Sequence, residues 1–386
     1  MERAPIQTNT IVMPEFRTED DKRPRTRCGY LVPEAYSCYE KAIGEVGATA
    51  SGKALHFAAD LICSGGLDIW IRGAYSYALQ HIGLANPRIF VYLRQRIQEL
   101  DAKSKTLMQE SFYSNPEVQA AVAETVLILQ ICPKKSKVAW PKVDDNTKHP
   151  GWIRTVASAP ETKATRTVWD GTSDQPALYL ASNELCKAIE DGASERALFW
   201  IRWTLEEDAR IRKDTKNHGL TNKERGPATG GAAKTRTEAG HYLAALLFEI
   251  YKDLASKNLL RMNEEVAELI RLWRGAEMRM PSRFRRDCLA LLTMICCEVP
   301  RWKVPAAPTL VPDPIKLSRA VAQAPAFFRE VLSYRALPAG KELKPNMTKA
   351  KVARQKVLTE KDFKKMSVEE HLKAYDEAME AFLNKG

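Results

Sequence analysis

The stretch with the clearest chemical suggestion is Gly47-Ala48-Thr49-Ala50-Ser51-Gly52-Lys53-Ala54, one residue away from the phosphate-binding pattern GxxxxGK[ST]. In that pattern backbone N–H groups cradle phosphates, the lysine neutralises them and the closing hydroxyl holds Mg²⁺. Ala54 replaces the hydroxyl here, and the preceding residues Cys38 to Val46 have helical rather than strand periodicity. No apolar run ending in paired acids follows it. The stretch therefore reads as a helix–helix corner, with no ATP binding or turnover expected.

Two basic clusters are the other candidates. Arg210, Arg212, Lys213, Lys216, Lys223, Arg225, Lys234 and Arg236 fall in a glycine-containing stretch, 209–240, against Asp214, Glu224 and Glu238. Arg271, Arg274, Arg279, Arg283, Arg285 and Arg286 bracket Trp273 and Phe284. Arginine pairs phosphate as a fork and stacks on rings, so both clusters suit a nucleic-acid groove. The competing reading is cations at helix ends, where they complement the helix dipole. The formal charge of +11 points to an acidic partner, nucleic acid first (DNA the leading choice) and anionic surfaces second.

Other chemistries lack their residues. No nucleophile sits at a recognised spacing from a base, and there is no carboxylate-pair signature or dinucleotide fingerprint. The eight cysteines form no CxxC pair, and the six histidines form no HExxH or zinc spacing. No catalytic residue, metal or cofactor is assigned, and the chain reads as a non-enzyme. Cys132, Cys186, Cys288, Cys296 and Cys297 lie in apolar helical runs and read as buried free thiols. The polar, proline-broken first residues do not resemble a signal peptide, and no apolar run reaches membrane-span length. The expected location is intracellular, in cytoplasm or nucleus, with a virion also compatible.

The elements that must position these residues read as helices. Glu34–Val46, Ala54–Cys63, 70–82, 88–100 and Pro116–Ile131 carry apolar residues at helical spacing. Gly83 is placed where a helix would end on a left-handed residue, and Asn86-Pro87 restarts the chain with Pro87 in a first turn. Residues 144–177 are turn-rich and polar and read as a linker pinned by Trp152 and Trp169. The order of landmarks then recurs. Glu184–Ile189 echoes Tyr39–Ile43, Ala197–Thr204 echoes Ala54–Leu61, His241–Leu254 stands where Trp70–Leu84 stands, Glu265–Trp273 matches 88–100, and Pro281–Ile295 matches Asn115–Ile131. Beyond Pro305 come helices near Ile315–Ala322 and Phe327–Tyr334, a lysine-rich stretch from Lys341 to Lys365, and a last helix opened by the capping box at Ser367.

Tyr77 to Arg88, reading YALQHIGLANPR, resembles the "ASEDIGLADP" signature in the C-terminal region of RarA/MgsA-type AAA+ ATPases. Residues 188–211 resemble that family's "IRGSDPDAALYWLARML" helix pair. Residues 116–138 resemble its "LAQAVIYLALAPKSNAVY" helix. The resemblance covers roughly 32–143 and 178–304. It implies a collar-like helical scaffold, a tendency to oligomerise and a link to replication. The second copy lacks IGLANP and no ATPase domain precedes either copy, so the family's energy-dependent activity is not carried over.

The expected fold is all-α: two degenerate copies of a clamp-loader-collar-like helical bundle plus a C-terminal helical extension. The expected organisation is an arm (1–30), repeat 1 (31–143), a linker (144–177), repeat 2 (178–304, with the basic loop 209–240) and a Pro/Lys-rich linker with C-terminal helices (305–386). The expected function is a non-enzymatic, oligomerising DNA-binding protein of replication or genome handling. Its expected partners are DNA, further copies of itself and other replication or virion proteins, with no membrane. The alternative is a structural or scaffolding protein, for example of a large DNA virus particle, that binds other proteins.

Overall fold

A computed structural model describes residues 25–45, 50–135, 138–215, 218–225, 237–259, 263–274, 282–298 and 314–334. The protein is all-α, and no strand occurs among the described residues, only two isolated bridges. The first half consists of α1 (Val32–Gly44), α2 (Ala50–Cys63), α3 (Leu67–Tyr77), α4 (Arg88–Thr106), α5 (Gln109–Ser114) and α6 (Pro116–Ile131). After α7 (Pro150–Val156) and α8 (Lys163–Val168) come α9 (Pro176–Glu190), α10 (Ser194–Thr215), α11 (Ala239–Ser256), α12 (Asn263–Arg274), α13 (Ser282–Cys297) and α14 (Pro314–Ser333).

Apolar spacing explains the packing. In the first half α1, α2 and α3 pack on one another, α4 packs on α3, and α6 closes against all four. In the second half α9 packs on α10, α10 on α11 and α11 on α12, and α13 closes against all four. The halves meet where α4 packs on α12 and where the residues after α3 pack on α13, so one continuous core runs through both. Glu268 on α12, almost fully buried, ties this seam through Arg94 of α4 and, at 2.8 Å, Arg271.

Several expectations change. Gly83 is not left-handed: its φ is −47°, and α3 runs on through a π-turn, Ala78–Ile82, with the Gly83 N–H donating to the Ala78 carbonyl. Glycine is needed there for space, because a Cβ would lie 2.5 Å from Leu291 Cδ2 and 3.2 Å from Phe90 Cζ. Among the described residues the left-handed glycines are Gly29, Gly65 after α2 and Gly192 after α9, the last at φ +67°. There the Ala193 N–H reaches back to the Ala188 carbonyl at 2.8 Å and the Gly192 N–H to the Ile189 carbonyl at 2.9 Å. The phosphate-loop look-alike runs into α2, where Lys53 pairs with Glu45 at 3.1 Å. Residues 46–49 lie outside the described residues.

Residues 144–177 are packed rather than strung out. α7 and α8 rest on α9, and α8 also touches α11. Trp152 sits among Phe199, Trp200 and Trp203, with ring centroids 5.9–6.3 Å away, and Trp169 meets Tyr179 edge-on at 4.9 Å. Beyond residue 313 one helix replaces the two expected. Pro325 lies inside α14, where burial of Ala324, Phe328 and Val331 against the first half offsets its missing N–H. The arm to Pro24 and the capping-box helix lie outside the described residues.

Residues 25–31 form a tight turn fastened to α2. The Cys28 N–H donates to Asp60 Oδ1 at 3.0 Å, the Arg27 N–H to Ser64 Oγ at 2.7 Å, and Arg27 Nε to the Cys63 carbonyl at 2.6 Å. Asp60 is fully buried, and burial raises its carboxyl above the ordinary 3.8, although the hydrogen bond from the Cys28 N–H pulls the other way. A raised folded-state value means that ionised Asp60 is disfavoured by the fold. Its stabilising contribution is full below the ordinary value and is lost as pH rises through the raised one. Asp60→Asn keeps the acceptor for the Cys28 N–H and removes the titration. Thermal melts should therefore show the variant gaining on the wild type from acid towards neutral pH, whereas parallel pH profiles would refute this account of Asp60.

All eight cysteines are free thiols. Cys63, Cys132, Cys186, Cys288, Cys296 and Cys297 are buried, while Cys28 and Cys38 are half-exposed. Burial pushes the Cys132 thiol up to about 11 and those of Cys63 and Cys297 up to about 12, so little reactive thiolate exists at neutral pH. A thiol-reactive dye on native protein should modify at most Cys28 and Cys38 rapidly, and all eight after denaturation. Rapid labelling of Cys132 or Cys297 would contradict this packing.

Candidate nucleic-acid interface

The basic stretch 209–240 is not one loop. Residues 209–215 are the end of α10. Residues 218–225 lie along the body, with the Gln175 N–H bonded to the Leu220 carbonyl and the Asn222 N–H to the Ser173 carbonyl, both at 2.9 Å. Lys216, Lys234 and Arg236 lie outside the described residues.

Arg212 and Arg225, both assigned above to phosphate, are committed inside the fold. The Arg212 side chain is 11% exposed and its Nε donates to Asp208 Oδ2 at 2.8 Å. Its remaining N–H groups reach the Thr221 carbonyl at 3.1 Å, the Thr237 carbonyl and Thr237 Oγ1. Asp208 also accepts the backbone N–H groups of Leu220 (2.7 Å) and Ala239 (3.1 Å). One ion pair thus holds residues 218–225, residue 237 and the start of α11 together. Arg225, 9% exposed, pairs with fully buried Asp174 at 2.5 Å, also bonds Thr221 Oγ1 and the Val168 carbonyl, and lies over the Tyr242 ring at 4.9 Å. Freeing either guanidinium for a phosphate would strand a buried carboxylate, a cost that a single phosphate contact does not offset.

The two basic clusters meet at Glu238, just ahead of α11. Arg285 lies 3.6 Å from this carboxylate and 5.7 Å from the centroid of Trp273. Burial raises the Glu238 carboxyl above its ordinary value, against the opposing pull of Arg285 and Arg212. Trp273 itself packs edge-on against His241 at 5.5 Å, so this ring belongs to the core rather than to a stacking platform. Arg271 is held by Glu268. Arg274 and Arg283 lie on α12 and α13 with side chains outside the described set, and Arg279 lies outside it altogether. Arg210 bonds Glu207 at 2.7 Å and Asp214 at 3.0 Å, while half-exposed Lys223 bonds Asp170 at 3.0 Å. Lys213 and Arg286 are exposed, with no ion pair among the described residues.

Charge is divided unevenly. The described residues contain 35 Lys and Arg against 33 Asp and Glu, a net of +2. The remaining residues contain 24 against 15, a net of +9. The described residues are close to neutral, and the excess cation lies in the sequence outside them. Residues 341–365 alone hold nine Lys and Arg against three acids, a signal readable in the sequence but absent from the residues assigned above.

Among the described residues no group of three or more His, Cys, Asp or Glu is placed to hold a metal ion, and no helix is long and apolar enough to cross a membrane. No protein-family model, curated protein or solved structure matches this chain.

Proposed function

We propose that the chain is a non-enzymatic, oligomerising DNA-binding protein of replication or genome handling. Its helical body serves as scaffold, and its phosphate contacts lie in the cation-rich segments around that body. The observation that carries this reading is the charge division: net +2 over the described residues and net +9 over the rest of the sequence, with nine Lys and Arg against three acids in 341–365. Each cation that reaches a phosphate releases counterions and strengthens binding at low salt. The shared contact pattern of α1, α2, α3, α4 and α6 with α9, α10, α11, α12 and α13, in which only the α1–α3 contact lacks a counterpart, supports a duplicated unit, as does the resemblance to the RarA/MgsA collar. Contact through backbone phosphates implies little sequence preference.

The near-neutral body also favours a second reading, a scaffold that binds other proteins. Fluorescence anisotropy with labelled single- and double-stranded DNA separates the two. With about five phosphate contacts, affinity for duplex should fall about 500-fold between about 50 and about 200 mM salt. No binding even at the lower salt would leave the scaffold reading in its place.

A further inference from the structure

The last described helix, α14, follows the second half in sequence but packs on α2, α5 and α6 of the first half. Ala320, Ala324, Phe328 and Val331 are buried in that groove, with Leu317, Val321, Phe327 and Leu332 packed at its margins. Gly52 is part of the fit: its Cβ position lies 3.4 Å from Phe327 Cζ, so a larger side chain would push on the ring. The opposite face of α14 is exposed and, apart from Ile315 at its start, polar or small, including Lys316, Arg319, Gln323 and Glu330. It is an amphipathic helix in a groove, the geometry by which separate chains also recognise one another.

The rest of the body offers little for self-association. Among the described residues the exposed large apolar side chains are Met108, Val156, Leu259 and Ile315, no two of them on the same helix. A stable interface removes about 1,200–2,000 Å² from solvent around an apolar centre. Among the described helices α14 stands apart, because it follows the second half in sequence and buries its apolar face on the first. Fifteen residues, 299–313, with four prolines, join it to α13, and a chain of that length reaches at most about 50 Å.

We propose that the oligomer forms by exchange: α14 of one copy occupies the α2–α5–α6 groove of a second copy, which returns its own. This inference rests on the oligomeric reading above. It explains how the chain can associate although the described residues expose few large apolar side chains, since the same apolar contacts are made in the closed monomer and in the exchanged dimer. The balance is then set by the connection, because a short connection strains closure within one chain while a long one relieves it.

The test uses full-length chains bearing two different tags, refolded together and analysed by tag capture and light scattering. Removing about five residues from 299–313 should raise the dimer fraction several-fold, and adding about ten Gly-Ser residues should return the 43.5 kDa monomer. Phe328→Ser, and separately Gly52→Leu on the groove side, should abolish mixed-tag capture at every connection length. A dimer that persists in both variants, or that ignores connection length, overturns the exchange while leaving the oligomeric reading in place. A monomer under all conditions overturns both.

Discussion

Asp208→Ala is expected to destabilise the protein by about 3–5 kcal/mol, because it leaves a buried guanidinium without its counter-charge. Three donors lose their acceptor together: Arg212 Nε and the backbone N–H groups of Leu220 and Ala239. The pair is also local, with Arg212 one helical turn after Asp208. Urea unfolding followed by circular dichroism measures the loss. Adding Arg212→Met should recover much of it, since an apolar side chain of similar length replaces an unpaired charge. If Asp208→Ala shifts the midpoint no more than an ordinary surface change, the pair is not what holds 218–225 to α11.

Gly83→Ala is the second large effect, at about 1–3 kcal/mol from overpacking. The new methyl would meet Leu291 Cδ2 of α13 at 2.5 Å and the Phe90 ring of α4 at 3.2 Å. Leu291 can yield by changing rotamer, but it is itself buried at the seam between the halves, so its movement disturbs both. Combining Gly83→Ala with Leu291→Ala should cost clearly less than the two single changes added together, because the new methyl fills part of the space that Leu291 vacates. Strict additivity in a double-mutant cycle would show that the corner does not touch α13 as described.

The helices were legible because their apolar residues recur at helical spacing, and α6 shows this down to its caps: Asn115 Oδ1 accepts the N–H groups of Glu117 and Val118. Gly83 was legible as a special position but not in its cause, since a glycine required for φ and one required for space look alike in a string of letters. Its partner Leu291 lies more than two hundred residues away. The commitment of Arg212 was partly readable from Asp208 four residues earlier, and that of Arg210 from Glu207 three residues earlier. That of Arg225 was not readable, because Asp174 is 51 residues distant and reaches it only through the packing of 218–225 on α8 and α9. The charge excess was legible as a total and in the cation run 341–365, but the internal commitment of Arg212 and Arg225 became visible only in the fold.

DNA binding as proposed depends on cations such as those of residues 341–365 rather than on the paired arginines of α10 and 218–225. The most direct measurement is the slope of log affinity against log salt for duplex DNA, for the wild type and for a full-length variant with the nine Lys and Arg of 341–365 changed to Gln. Each phosphate contact contributes about −0.9 to that slope, so the variant should bind more weakly and lose about three units or more. A variant that binds with the wild-type slope would contradict the claim and return the contact to the body.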